Sequence, residues 1–371
     1  MNAMNTADLV LLLPELILVG GALILILASR RIQKASWVTT GTILVALSST
    51  LASIWLLSGG DRTGFGGMVA LDGYSQFFKI LITVALVLVV LLSVRRVEIK
   101  GVRPAEYHTL LLLASTGMMF AVSALDLVVL YLGLELTTLC SYILVGITVE
   151  RSTSNEAAIK YFLLGSFSSA ILLYGIALIY GTTGATDFTT IASVLSTRSL
   201  GSNQILLAGV SLSAAGLAFK IAAVPFHSWV PDAYQGSTTP VAAFLATASK
   251  ASGLAALGRV CLIALPSEAS VLSVILIGLA ALSIAVGSII ALSQTEMKRL
   301  LAYSSISHAG YALLGFISGT PEGVSATMTY VFLYVFMTLG VFGVAIALGR
   351  RGLTLNGYKG LATQNPGIAA L

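Results

Sequence analysis

From Leu9 to Ala28 the chain runs for twenty residues with a single charge, Glu15, and ten more apolar runs of comparable length follow it. Lipid offers no partner to a backbone N–H or C=O, so stretches of this length must satisfy their own hydrogen bonds, as helices or in a closed barrel. The runs are continuously apolar and lack the two-residue alternation of barrel strands, which leaves a helical bundle. Taking windows of about twenty residues, the sequence predicts eleven spans, at 8–28, 36–57, 72–94, 107–122, 124–148, 157–181, 203–224, 238–262, 270–293, 301–318 and 324–349. The fold class is an all-α polytopic membrane protein. With 57% hydrophobic and 9% charged residues and a mean hydropathy of +0.97, a soluble globular domain is excluded.

The net charge of +5 sits in short connections between spans, where it sets orientation and argues against a nucleic-acid partner. One side carries Arg30, Arg31, Lys34, Arg95, Arg96, Lys100, Arg103, Arg151, Lys298, Arg299, Arg350, Arg351 and Lys359, thirteen in all; the other carries Arg62, Arg198 and Arg259. The rich side is expected in the cytoplasm and the N-terminus outside, in a bacterial inner membrane. The first run ends in Arg30 and Arg31 without a cleavage motif and reads as a retained span. Cys140 and Cys261 lie in apolar sequence and read as packing residues. The turn at Ser123–Asp126 is so tight that spans four and five form a hairpin. After Asn365 and Pro366 another apolar run begins at Gly367, so the chain is expected to be a piece of a longer one.

Several charges are too deep for packing to explain. A Lys at mid-helix costs at least about 2.5–3.5 kcal/mol in lipid, and such residues face an internal polar path. Glu135 lies about 16 Å of helix from Ala124, in YLGLELTTL, and needs a cationic partner. Lys220 and Lys250 are the candidates, each with roughly a dozen apolar or small residues behind it; the bland alternative is that either reaches an interface by snorkelling. His227 follows Pro225, which should break the seventh span and free backbone carbonyls. Its ordinary titration range suits proton passage, as does that of His308 in SSISHAGY, although a histidine at a helix break is often merely hydrogen-bonded. Lys160 stands one turn after Glu156, a spacing that fits a local pair or a relay. Glu15 and Lys79 read as structural, and His108 as an interface residue. There is no CxxC, no phosphate-binding glycine loop and no paired histidines for haem, so the chain itself binds no cofactor.

These residues resemble the antiporter-like membrane subunits of respiratory complex I, the proton-pumping NADH:quinone oxidoreductase, a family related to multisubunit Na+/H+ antiporters and membrane-bound hydrogenases. The resemblance spans the chain and is carried by Leu134–Leu139 around Glu135, by Lys220–Pro240, by TASK at 247–250 and by KRLLAYSSISHAGY at 298–311. YFLLGSFSSAILLYG at 161–175 and DAYQGSTTPVAAFLATASK at 232–250 are most similar to the N subunit, whereas L and M subunits usually carry a histidine where Tyr234 stands. The resemblance implies fourteen helices with two inverted five-helix repeats, each containing a broken helix. Residues 1–106 would hold helices 1–3, 107–262 the first repeat with helices 4–8, and 270–371 an incomplete second repeat with helices 9–11 and the start of helix 12. It assigns Glu135 and Lys220 as a modulating ion pair, Lys250 as the central proton carrier, His227 as a bridge between them and Lys160 as a contributor near the cytoplasmic side. The acidic or basic residue of the second broken helix would lie beyond Leu371.

The resemblance further implies that NADH, FMN, iron–sulfur clusters and quinone belong to other subunits of the complex, and that the partners are the lipid bilayer and the neighbouring antiporter-like and small membrane subunits. A subunit of a Na+/H+ antiporter keeps the same path with a different driver. A non-pumping scaffold is a third reading, disfavoured because drift would remove buried charges as costly as Glu135, Lys220 and Lys250.

Overall fold

A computed structural model describes residues 6–29, 34–94, 102–197, 203–265 and 269–370. Of the charges used to orient the chain, Arg30, Arg31, Arg95, Arg96, Lys100 and Arg198 lie outside these residues. The first span is two helices, α1 (Thr6–Leu11) and α2 (Leu13–Ala28), divided at Leu12, where Pro14 opens the second. Then come α3 (Ala35–Leu57), α4 (Gly73–Ser93), α5 (Pro104–Ser123), α6 (Leu127–Val145) and α7 (Ser152–Thr183). A short α8 (Phe188–Thr197) precedes α9 (Gln204–Ile221) and α10 (Trp229–Gly236). The eighth predicted span is α11 (Thr239–Phe244) and α12 (Lys250–Arg259), with α13 (Ala269–Leu292), α14 (Met297–Ile317) and α15 (Pro321–Ala347) completing the bundle. Among the described residues nine helical segments are long and apolar enough to cross a membrane; α2 is shorter, and α5 is more polar. The chain is a multi-pass membrane protein.

The helices begin where the sequence supplies acceptors for their free N–H groups. Asp72 caps α4 in a reciprocal box with Ser75, Asp126 accepts from Val128 and Val129 at the start of α6, and Asn203 does the same for α9. At one end a hairpin of β1 (Arg62–Gly64) and β2 (Val69–Leu71) pairs antiparallel and bridges through Val69 to Ala124 in the α5–α6 turn. That hairpin, α8 and α10 were not anticipated from sequence. The predicted α5–α6 hairpin is present, and its two helices pack backbone to backbone at Gly117 and Gly133.

Side-chain polarity is inverted relative to a water-soluble bundle. The outward faces carry exposed apolar residues such as Leu27, Trp37, Ile289 and Leu292, while α3 turns Thr39, Thr42, Ser49, Thr50 and Ser53 inward. Lipid rewards that arrangement, because a hydroxyl facing hydrocarbon would lack a partner. The α11–α12 segment is the most enclosed, and it contains two π-helical turns, at Leu245–Ser249 and Val260–Ala264. Wide turns of this kind collect at functional sites. Cys140 is buried and Cys261 partly so, both free thiols, in accord with packing roles.

Candidate functional site

The seventh span breaks as Pro225 predicts, but the helix ends before the proline. Ala222 closes α9 in the left-handed region, at φ 61°, and helix resumes only at Trp229. The irregular backbone is satisfied internally. Val224 N–H donates to Ser283 Oγ on α13 at 2.9 Å, and the Trp229 indole N–H donates to the Phe219 carbonyl at 3.2 Å. Trp229 is also stacked between Tyr161 and Phe219, which fixes where the chain re-enters helix. Backbone of this sort survives at membrane depth only where protein or water covers it.

Two residues before that break, Lys220 Nζ lies 3.4 Å from Glu135 Oε1 on α6. Its shortest bond, 2.6 Å, goes to Thr138 Oγ1, and it reaches Ser169 Oγ on α7 at 3.4 Å; the Ser169 hydroxyl in turn donates to Glu135. Three helices therefore converge on one proton-bearing nitrogen. The acid and base are loosely apposed, with hydroxyls able to donate or accept between them. Thr138 and Ser169 were missed in the sequence because isolated hydroxyls in membrane helices usually bond back to their own backbone.

Lys250 does not join that pair. Its ammonium donates to the Ser305 carbonyl at 2.6 Å and to Ser305 Oγ at 2.9 Å, on α14. One turn further along α12, Gly253 lets the helix pass against the backbone of Lys220, so the two lysines belong to adjoining compartments. From Ser305 the polar residues continue to His308, whose Nδ1 is 2.6 Å from the Tyr330 hydroxyl on α15. His227 is half-buried in the break, with Nδ1 unpartnered. Among the described residues no hydrogen bond ties its ring to Lys220 or Lys250, so the implied bridge is not a direct contact.

At the end of the bundle bearing Lys298, Arg299 and Arg350 a cavity of about 550 Å³ opens among Glu156, Lys160, Asp232, Gln235 and Glu296. Lys160 pairs with Glu156 at 2.8 Å as the spacing suggested, and also with Asp232 at 3.0 Å, whose other oxygen takes a bond from Arg299. Burial pushes the Asp232 carboxyl up, but hydrogen bonds and charge from Lys160 and Arg299 outweigh it and hold the group below the usual carboxylate range. Lys298, read only as a topology charge, is buried and donates to the carbonyls of Gln235 and Ser237. It thus stabilises the C-terminal end of α10, where helix dipole and free carbonyls favour a cation.

The family model for the NADH:quinone oxidoreductase/Mrp antiporter transmembrane region matches residues 124–371. NADH-quinone oxidoreductase subunit N 2 of Rhizobium meliloti is 42% identical over 366 residues, covering 96% of this chain and 75% of that protein. The chain belongs to this family, on the subunit N branch. Subunit N of Desulfovibrio desulfuricans is 43% identical over 385 residues, covering 98% and 76%. Among solved structures, a chain of respiratory complex I from Thermus thermophilus with bound aureothin has a TM-score of 0.78 at 33% identity, covering 96% of this chain and 76% of that one. A chain of the Mrp complex from Dietzia sp. DQ12-45-1b, at 22% identity and a TM-score of 0.84, covering 99% and 69%, shares the fold.

In this subunit N family member two sequence readings need correcting. His108 is fully buried at the first turn of α5, 3.3 Å from the Thr39 hydroxyl, and is not an interface residue. Glu15 and Lys79, read as separate structural charges, touch each other at 2.6 Å across α2 and α4, both wholly enclosed. The 64-residue separation hid the pair, since no local spacing relates them.

Proposed function

We propose that the chain is a proton-translocating membrane subunit of an NADH:quinone oxidoreductase, coupling quinone reduction in other subunits to proton transfer through its interior. The observation that carries the reading is the Glu135–Lys220 pair, buried beside a broken helix and shared with Thr138 and Ser169. Relatives about 40% identical that are named as subunit N supply the driver. At 3.4 Å the two charges attract by about 5 kcal/mol at an effective dielectric of 20. Moving one charge against the membrane potential costs about 2.3 kcal/mol per 100 mV, so opening this pair once per turnover matches a potential of about 200 mV.

In the proposed cycle Glu135 close to Lys220 keeps the lysine charged. When they part, the lysine's proton moves toward Lys250 and leaves by way of Ser305 and His308. His227 lines the gap, and Lys160 with Asp232 holds the cavity at the basic end through which protons arrive. That end is taken as cytoplasmic and the membrane as the bacterial inner membrane. The division at 1–106, 107–262 and 270–371 belongs to the same proposal, as does the placement of NADH, FMN, iron–sulfur clusters and quinone in partner subunits.

The test uses inverted membrane vesicles carrying the protein in its complex, with NADH oxidation and acidification recorded together for wild type and Glu135→Gln. With assembly intact, acidification should fall along with NADH oxidation. Untouched NADH oxidation with loss of sodium-dependent proton release would instead make the chain an antiporter subunit.

A further inference from the structure

The N-terminal helices, outside both repeats, contain a second buried acid–base pair. Glu15 on α2 and Lys79 on α4 are 2.6 Å apart and fully enclosed, yet neither carboxylate oxygen nor the ammonium has a well-directed hydrogen bond from protein. Other orphaned groups stand beside them. Gln76, one turn before Lys79, is buried with both ends of its amide unpartnered. Ser53 is buried and unpartnered one turn beyond Ser49, whose hydroxyl donates to the carbonyl of Pro14, next to Glu15. One turn after Lys79, Thr83 accepts from Thr50 at 2.8 Å.

The chain also shows what a purely structural pair looks like. Arg259 grips Asp72 with two 2.6 Å bonds, spends a third donor on the Val122 carbonyl at 3.1 Å, and lies over the Tyr74 ring. A static ion pair in a low-dielectric interior is worth keeping only when its remaining donors and acceptors are satisfied in that way. Glu15–Lys79 has the desolvation cost without the saturation. Orphaned polar groups of this density are ordinarily served by water, and water makes both groups able to exchange protons.

We infer that Glu15 and Lys79, with Gln76 and Ser53, form a second, hydrated proton-holding site in the N-terminal helices, separate from Glu135, Lys220 and Lys250. The step is internally balanced. The Lys79 ammonium passes one proton to the Glu15 carboxylate, giving a neutral amine and a neutral acid; the acid releases that proton to water and the amine takes another from water, restoring the ion pair. The other titratable groups on the packed helices face elsewhere. The Tyr74 hydroxyl donates to the Ala255 carbonyl, Lys250 is held by Ser305, and Tyr330 by His308. Tyr107, bonded to Ser93, and His108, bonded to Thr39, lie at the other end of α4, about 20 Å from Lys79 at 1.5 Å per residue.

The experiment replaces both groups, Glu15→Gln with Lys79→Met, in the complete complex, a change that leaves no unpaired buried charge. It records NADH oxidation and acidification in inverted vesicles and the carboxyl C=O stretch in the infrared difference spectrum on NADH addition. We expect NADH oxidation to stay within about twofold, acidification per NADH to fall roughly twofold or more, and a carboxyl band to disappear. Wild-type acidification per NADH and an unchanged infrared spectrum would overturn the inference. Should the double variant fail to assemble, Glu15→Asp decides: a shifted carboxyl band supports the site and an unshifted one overturns it. Glu135→Gln runs in parallel. If that variant alone leaves acidification untouched, the proposed function fails while the carboxyl band still judges Glu15.

Discussion

Thr138 gives the sharpest test of the Glu135–Lys220 site, because its hydroxyl makes the shortest bond to the lysine nitrogen, 2.6 Å, while the carboxylate stands off at 3.4 Å. Thr138→Val keeps the shape and removes the acceptor. A hydrogen bond to a charged group contributes about 1.5–3 kcal/mol, against about 5 kcal/mol of attraction from Glu135 at an effective dielectric of 20. The charge still dominates, so the variant should retain a weakened site. A loss of 1.5 kcal/mol shifts the balance between protonated and neutral lysine roughly tenfold, and 3 kcal/mol more than a hundredfold. In inverted vesicles acidification should therefore fall by about tenfold or more in Thr138→Val, and further in Glu135→Gln. Ser169→Ala should be milder toward the lysine, whose contact with that hydroxyl is 3.4 Å, and Thr138→Ser should restore most of the rate. Wild-type acidification in Thr138→Val, with the complex assembled, would refute the idea that hydroxyls share the lysine's proton.

Arg259→Lys should lower the melting temperature of the purified complex, since an ammonium cannot hold both Asp72 oxygens and the Val122 carbonyl together; breaking such a pair costs about 3 kcal/mol or more. Gly117→Ala would set a methyl 2.6 Å from the Gly133 carbonyl and 2.7 Å from Thr137 N, forcing α5 and α6 apart at about 1–3 kcal/mol and reducing the yield of assembled complex in native gels. Asp232 titrates below its unfolded value, so its contribution to stability is present above about pH 4 and is lost as pH falls through the lower folded value. Acid melting curves of Asp232→Asn should lack that part of the wild-type decline.

Much of this architecture is written in hydrophobic run length, which is why the eleven predicted spans have helical counterparts and Pro225 marks the broken one. What escaped the sequence depended on pairing across distance. Glu15 and Lys79 each look like an isolated charge until α2 and α4 are laid side by side. Thr138 and Ser169 carry no charge to attract notice, yet they sit where Lys220 arrives. Lys298 and Arg299 follow the positive-inside pattern, but their side chains bind the carbonyls of the α10 end and Asp232, so a topology signal concealed a structural one. The kink at Leu12 was invisible because a leucine run has no periodic mark to interrupt, and Pro14 is equally at home in the first turn of a helix.

The two π-helical turns that flank Lys250–Arg259 place the span under a counting constraint. A residue more or less in a helix turns everything after it by about 100°. Deleting one residue from Leu245–Ser249 would let that turn relax to ordinary helix while swinging Lys250 off Ser305 and Arg259 off Asp72 together. Substitutions that preserve the count leave both contacts aligned. This segment should therefore absorb changes of side chain more readily than changes of length, and single-residue insertions and deletions, harmless in the connecting loops, are here the most damaging class of lesion.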